Sequence, residues 1–531
     1  MPAWFAALAL SAAPAAGSQF VLTILHINDL HSRLQPVNAF NAVCPPGADE
    51  AGECFGGIAR VKTLIDERRA AGEAAGEVVL VLDAGDQFQG SLFYRTYRGQ
   101  AAAEFMNDVA FDAMALGNHE FDDGPGVLAR FVEELDFPVL GANVDVTASP
   151  DLAGLIAPFA VIKRGNQRIG VIGAVTEDTA VISSPGPDVQ FQPVAAALER
   201  GVAVLEAQGI DKIIALTHIG LDADRRIART VAGIDAVVGG HSHTLLADEP
   251  GSEGSYPVIE SGAAGSAVPI VQAHAYGRRV GELRLAFDAA GNVIEFGGTS
   301  HPLDASVAAH AATADRVAAL AEPFEAMMRE VVAHVSSPID AGGCRRGECE
   351  MGNLVADAML DRVQSRGVQL ALINGGGLRA SLDAGEVTAA EIATVLPFGN
   401  TLATFTISGA GIRAALENGV SRFEEHAGRF PQVAGMRFAF DPSAPPGHRV
   451  RDVSVETGNG FEPLDPERDY LAVSHDYLRR GGDDYAVLRD GATNAYDFGP
   501  ALESVVTGYL AARPDYRARI DGRITESTPG G

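Results

Sequence analysis

Apolar positions in the first two-thirds of the chain fall in short runs separated by amphipathic stretches. Val21–Ile27, Val78–Leu82, Ile169–Val175, Ile213–Thr217 and Ala236–Val238 have the length and composition of buried strands. Between them, Ile58–Ala70 carries Ile58, Val61, Leu64 and Ile65 at helical spacing. Alternating strands and helices predict an α/β fold with helices layered on sheets. Catalytic groups are then expected at strand ends, on the connecting loops. Leu303–Val335 is rich in Ala, Glu and Arg with few turn signals, and predicts a helical linker. A second domain is expected from about Ser336, with helices over Met351–Val363 and Gly409–Asn418 and strands over Leu370–Ile373 and Tyr470–Ser474. There is no internal repeat.

The 531 residues exceed what one hydrophobic core organises, which also points to more than one domain. Hydrophobic residues at 47% and charged residues at 21% exclude a disordered chain. The net charge of -29 argues against nucleic acid or an anionic membrane as the main partner. A phosphate-bearing ligand would therefore need local positive charge, from metal ions or clustered arginine.

The Ala- and Leu-rich start, with small residues at Ala13 and Ala15, predicts a signal peptide over residues 1–18 and a periplasmic or secreted protein. That run is too short to span a bilayer, and the end of the chain, Glu-Ser-Thr-Pro-Gly-Gly, predicts no anchor tail. Cys44, Cys54, Cys344 and Cys349 form two local pairs in polar loops. An even count behind an export signal favours bridges Cys44–Cys54 and Cys344–Cys349 over zinc, since neither pair is a C-x2-C and no His lies nearby.

Five segments of the first domain carry metal-ligand chemistry. Asp29 and His31 follow the first strand two residues apart, a spacing that puts both on one side of an extended chain. Asp86 closes Asp83-Ala-Gly-Asp86 after the next strand, and its two oxygens allow it to bridge two cations. In Gly117-Asn-His-Glu-Phe-Asp122, Asn118 offers a carbonyl oxygen, and Asp122 can orient the His119 imidazole. His218 ends another strand, and His241 and His243 follow Gly239-Gly240. Each piece alone reads more readily as a structural or surface pair, or as a turn, than as a ligand site. Together they place ligands at successive strand ends, along one edge of the sheets. Oxygen and imidazole ligands mixed in this way suit Zn²⁺, Mn²⁺ or Fe. Two such ions about 3.5–4 Å apart clamp an in-line displacement at phosphorus.

These segments, in this order, resemble the metallophosphoesterase domain of the 5′-nucleotidase family, and the resemblance covers nearly the whole chain after the leader. It implies a four-layer α/β/β/α catalytic domain over residues 19–302, a helical linker over 303–335 and an α/β substrate-binding domain over 336–526. It implies two divalent ions, Zn²⁺ first and Mn²⁺ or another ion as the alternative. One would be held by Asp29, His31, Asp86 and His243, the other by Asp86, Asn118, His218 and His241, with His119 and Asp122 as the catalytic dyad.

In the second domain, Cys344-Arg-Arg-Gly-Glu-Cys349 looks like the family's disulfide-closed loop, with Arg345 facing substrate. Asn374-Gly-Gly-Gly-Leu-Arg379 looks like its phosphate and nucleoside loop. Phe398, Tyr477 and Asp483 look like its base and ribose clamp, with Tyr at 477 where Phe is common in the family. The implied reaction is hydrolysis of nucleoside 5′-monophosphates by an activated water, in a monomer or homodimer. Cyclic nucleotides, UDP-sugars and NAD are alternative substrates on the same site. A non-catalytic nucleotide-binding or adhesin protein is the alternative of another class, and it should have lost ligands that this chain keeps.

Overall fold

The computed structural model describes residues 20–38, 43–44, 47–49, 51–324, 329–458, 460–497, 499–514 and 516–527. The expected leader, residues 1–18, lies outside the described residues. No helix among the described residues is long and apolar enough to cross a membrane.

The first strand, Phe20–Ile27, shows how the first domain is layered. Phe20, Leu22 and Ile24 pack inward with Leu80 and Leu82, against Ile169, Val171, Ile214 and Leu216 of a second sheet. Leu25 and Ile27 face the other way with Val79 and Val81, onto Ile58, Val61, Leu64 and Ile65 of the helix Ile58–Ala74. Both faces of the strand are buried, which is why the run is nearly continuous in apolar residues.

The first sheet has seven strands, with Phe20–Ile27 between Arg279–Phe287, its antiparallel neighbour, and Val78–Asp83, its parallel one. The second has six, in which Gln167–Val175, Ile213–His218 and Ala236–Val238 run parallel. Helices Val194–Ala207 and Leu221–Thr230 cover its outer side. The order is α/β/β/α, as expected, and the parallel strands of both sheets end at the same edge, where the ligand-bearing loops begin.

The second domain centres on a five-stranded sheet that includes Leu370–Asn374, Asp469–His475 and Leu402–Ser408. Helices Glu350–Val363 and Leu502–Ala511 cover one face, and Gly409–Val420 packs on the other. Ser408 caps that last helix, accepting from the Gly411 amide.

The stretch read as one helical linker is helical only in part. Ala311–Ala321 is α-helix, Glu322–Phe324 a single 3-10 turn, and Val331–Val335 a strand paired with Gly385–Thr388. Pro323 stops the helix, and the β-branched Val331, Val332 and Val335 suit a pleated edge better than a helix.

Several contacts hold the second domain on the first. Asn38 donates to Asp383 at 2.6 Å, Arg95 pairs with Glu503 at 2.8 Å, and Arg422 pairs with Asp178.

Cys44–Cys54 and Cys344–Cys349 are both joined. The second bridge does two local jobs. Its Cys349 sulfur caps the helix Glu350–Val363, accepting from the Gly352 amide at 3.1 Å, and the loop it closes carries Arg345. Short loops restrict the unfolded chain only modestly, so the double variant Cys344→Ser/Cys349→Ser should lose about 2 kcal/mol of stability in denaturant unfolding. It should also raise KM for a nucleotide substrate by releasing Arg345. An unchanged KM would mean that the bridge does not position that arginine.

Candidate metal centre and active site

The ligand loops leave their strands in an unexpected conformation. Asp29, His31, Asp86, His241 and His243 all have positive φ, between 51° and 77°. The Asp29–His31 and His241–His243 pairs therefore do not use the extended alternation that their spacing suggested. The first strand ends at Ile27, and a left-handed turn swings both side chains toward one point. Each non-glycine residue in this region costs on the order of 1–3 kcal/mol and persists only when its surroundings fix it.

Those surroundings are hydrogen bonds between the loops. Asp29 N–H donates to Gly85 O and His31 N–H to Asp86 O, tying the first loop to the second. Asp29 Oδ2 accepts from Asn28 Nδ2 at 2.7 Å and from the His241 amide at 3.0 Å. Asp86 Oδ1 accepts from the His119 amide at 2.9 Å. The loops approach closely enough to require glycine: a Cβ on Gly117 would sit 2.2 Å from Asp86 Oδ1, and one on Gly240 2.9 Å from His218 Nδ1.

Two residues that the sequence pattern did not single out hold this assembly. The buried Glu120 carboxylate accepts from the amides of Gly117, Asp86, Gln87 and Phe88 at 2.6–3.2 Å. Burial pushes its pKa up to about 7. Gln272 is fully buried behind the histidine turn, donating to Gly240 O and accepting from the Thr244 amide. Glu120 lies inside a ligand motif, directly after His119, and that position was the signal for it. Gln272, distant in sequence, had none.

The ligand atoms converge. Asp29, His31 and His243 form one group, and Asp86, His218 and His241 another, with ligand atoms in each within 4.8 Å of one another; His31, Asp86 and His119 also qualify. His31 Nδ1 is bonded to Phe88 O at 3.1 Å and His218 Nδ1 to Ala84 O at 2.7 Å, which leaves each Nε2 as the bare ligand atom. The Nε2 atoms of His31 and His243 lie 3.1 Å apart, and Asp86 Oδ2 is 3.1 Å from His218 Nε2. Asp29 Oδ1, Asn118 Oδ1 and His218 Nε2 are buried without an aligned hydrogen-bond partner. Buried polar atoms are rarely left so, and this oxygen and nitrogen set fits divalent cations.

The electrostatics of the protein groups are correspondingly strained. Burial pulls His31 well below its usual pKa. Burial also works against charge on His218, but the Asp86 and Asp29 carboxylates outweigh it and push it up to about 10.

His119 and Asp122 form the expected pair, with Nδ1 2.6 Å from Asp122 Oδ2, while Asp122 Oδ1 accepts from the Ser183 hydroxyl at 2.6 Å. The second domain reaches into this site. Arg379 Nη2 is 3.2 Å from His31 Nε2, and the Phe398 ring lies 5.9 Å from His119, inclined by 23°. Arg345 is half-buried, and desolvation and the neighbouring Arg379 charge hold its pKa below the usual guanidinium value. Asn374, Tyr477 and Asp483 are joined in one hydrogen-bonded set on the second domain. Arg33, buried and two residues past His31, also faces this cleft, donating to Arg379 O.

A four-layer fold with paired Asp and His ligands at one sheet edge defines the metallophosphoesterase class. The chain matches the sequence profile of that class, described as calcineurin-like phosphoesterase, over residues 22–245, and that of the 5′-nucleotidase C-terminal domain over residues 331–490. It is 35% identical to a 5′-nucleotidase of Homo sapiens, covering 97% of this chain and 92% of that protein. It is also 35% identical to a snake venom 5′-nucleotidase of Crotalus adamanteus, over 98% and 90% of the two chains. The crystal structure of a 5′-nucleotidase precursor from Thermus thermophilus superposes with a TM-score of 0.91 at 40% identity, covering 96% of this chain and 99% of that one. The chain belongs to the 5′-nucleotidase family, and it is an enzyme of that kind.

Glu120 supplies a test of how the ligand loops are held. Glu120→Ala strips acceptors from four buried amides, each costing roughly 1–3 kcal/mol when unsatisfied. The expected result is a loss of at least about 3 kcal/mol in urea unfolding and of most bound metal by elemental analysis. Wild-type stability and metal content in that variant would remove Glu120 from this role.

Proposed function

We propose that the enzyme hydrolyses nucleoside 5′-monophosphates, AMP-like substrates, to nucleoside and phosphate at a dinuclear centre. The observation that carries this reading is the reach of Arg379 and Phe398 into the metal cluster. It brings an anion-binding group and a stacking surface to the ligand atoms.

Asp29, His31, Asp86 and His243 would hold one divalent ion, and Asp86, Asn118, His218 and His241 the other, with Zn²⁺ first and Mn²⁺ as the alternative. When bound, such ions supply Lewis-acid charge against the phosphoryl oxygens and lower the pKa of a water. The chain's own residues do the rest. Asp122 holds the His119 ring through Nδ1, leaving Nε2 for the phosphoryl group as charge develops in the transition state. Arg379 and Arg345 bind the substrate's anionic end, where guanidinium geometry matches phosphate. Phe398 and Tyr477 take the base, and Asn374 and Asp483 the nucleoside's polar edge.

Two bridged cysteine pairs are at home in an oxidising compartment, which favours a periplasmic or secreted site of action. They support that location without identifying the export signal.

A phosphate-release panel tests the reading, with AMP, UMP, the cyclic AMP isomers, UDP-glucose, NAD and an aryl phosphate, each before and after chelation. AMP or UMP should be the best substrate, and extensive chelation should abolish release until Zn²⁺ or Mn²⁺ is restored. Asp86→Ala should lose both ions, because one carboxylate serves both sites. Full turnover with two ions bound in that variant is incompatible with a dinuclear centre.

His119→Ala should keep its metal and lose turnover. Removing a transition-state contact lowers kcat and kcat/KM together, here by about 10²–10³-fold by analogy with oxyanion-stabilising donors. If elemental analysis instead finds one ion gone, His119 is a ligand and its assigned role is wrong.

A further inference from the structure

The turn Gly481–Asp484 is built around one hydroxyl group. Asp483 has φ 53° and ψ 34°, left-handed values that a non-glycine residue adopts only when held. The Tyr477 hydroxyl holds it twice. It accepts from the Asp483 amide at 3.2 Å and donates to Asp483 Oδ1 at 2.9 Å. One oxygen thus fixes both the backbone and the carboxylate of the same residue. The Tyr477 ring lies so close beneath the turn that a Cβ on Gly482 would meet it at 2.4 Å.

The other carboxylate oxygen is fixed as firmly. Asp483 Oδ2 accepts from Asn374 Nδ2 at 2.7 Å. Asn374 cannot flip without setting its own oxygen against that carboxylate. Its Oδ1 therefore faces His475 Nε2 at 2.9 Å, and the imidazole is the donor there. Every hydrogen-bond polarity in this network is set. Each carboxylate oxygen receives one protein donor and keeps acceptor capacity, so the group is matched to two adjacent hydroxyl donors on a ligand.

We propose that the Tyr477 hydroxyl is a positioning group for sugar recognition: by locking the Asp483 carboxylate, it makes the enzyme prefer nucleotides with a vicinal 2′,3′-diol over 2′-deoxynucleotides. The proposal rests on the nucleotide reading above and on the ribose clamp that the family resemblance implies, and adds to them the role of the Tyr477 hydroxyl. Phenylalanine at this position would keep the ring but lose both hydroxyl contacts, leaving the Asp483 amide unsatisfied and its carboxylate free to turn.

The test compares kcat/KM for AMP and 2′-deoxy-AMP in metal-loaded, full-length enzyme, wild type, Tyr477→Phe and Asp483→Asn. A site that pairs with a substrate hydroxyl discriminates against its absence. Wild type should favour AMP by about 10-fold or more, and Tyr477→Phe should cut that ratio at least about 3-fold, mainly through KM for AMP. Asp483→Asn should cut it further. The ratio is taken within each variant, so partial unfolding cancels, and a merely structural role for the hydroxyl would leave it unmoved. An unchanged ratio in Tyr477→Phe overturns the proposal, as does a wild type that cleaves both nucleotides equally. Cleavage of an aryl phosphate but of neither nucleotide would instead bring down the nucleotide reading, and this proposal with it.

Discussion

The structure depends on gathering candidate ligand atoms of Asp29, His31, Asp86, Asn118, His218, His241 and His243 at one sheet edge, most of them buried. Carboxylates and imidazoles brought this close, away from water, cannot all satisfy one another. Two carboxylates repel, and the Nε2 atoms of His31 and His243 face each other at 3.1 Å. Such a cluster is costly unless positive charge sits inside it. The high pKa of His218 beside Asp86 and Asp29 expresses the same demand in proton terms. A proton and a divalent cation compete for these atoms, which couples metal affinity to pH.

What keeps the cluster assembled is stiffness around it. The ligand loops run in left-handed backbone conformations that relax unless they are tied down. The two sheets provide rigid strand ends, and the loops are then tied to one another, Asp29 to Gly85 and His31 to Asp86. Glu120 gathers the Asp86 loop and the Gly117 loop on one carboxylate, and Gln272 does the same for the histidine turn. These groups never need to meet substrate. Their contribution is that the ligand atoms are already in place before any ion arrives.

Much of this was legible in the sequence, for a physical reason. Ligand residues must be particular chemical types, and an α/β fold places them at strand ends, so Asp86 after Val78–Asp83 and His218 at the end of Ile213–His218 stand out. That helices layer on sheets followed from the alternating apolar runs, while the four-layer order came from the family resemblance. The loop geometry did not follow, because a two-residue spacing is consistent with an extended chain and equally with the left-handed turns found at Asp29–His31 and His241–His243. Gln272 was invisible because its partners are set by tertiary contact alone. Tyr477 was visible as a departure from the family's common Phe, but its meaning lay in a hydroxyl contact with Asp483 that spacing cannot reveal. The second half of the linker misled because Ala-rich composition at Ala311–Ala321 masked the β-branched edge strand that follows.

The acidic chain makes the arginines of the cleft more informative than arginines elsewhere. Most of its described guanidiniums pair with carboxylates, as Arg95 does with Glu503 and Arg429 with Asp484. Arg33 and Arg379 do not follow that rule. Arg33 is buried with Nε and Nη1 unpartnered, Arg379 Nε is likewise unpartnered, and the Arg379 charge raises the cost of charge on Arg33. Burial and the nearby Arg379 charge pull the Arg33 pKa down to about 10, against the opposing influence of Tyr276. Charged donors held together in this way are stabilised by an acceptor-only group with several oxygens, which a phosphoryl group is. The first domain thus concentrates carboxylate and imidazole atoms that call for cations, and Arg33 of that domain and Arg379 of the second together call for an anion. On this argument, an anion held between the two arginines would also tie the two domains together at this cleft.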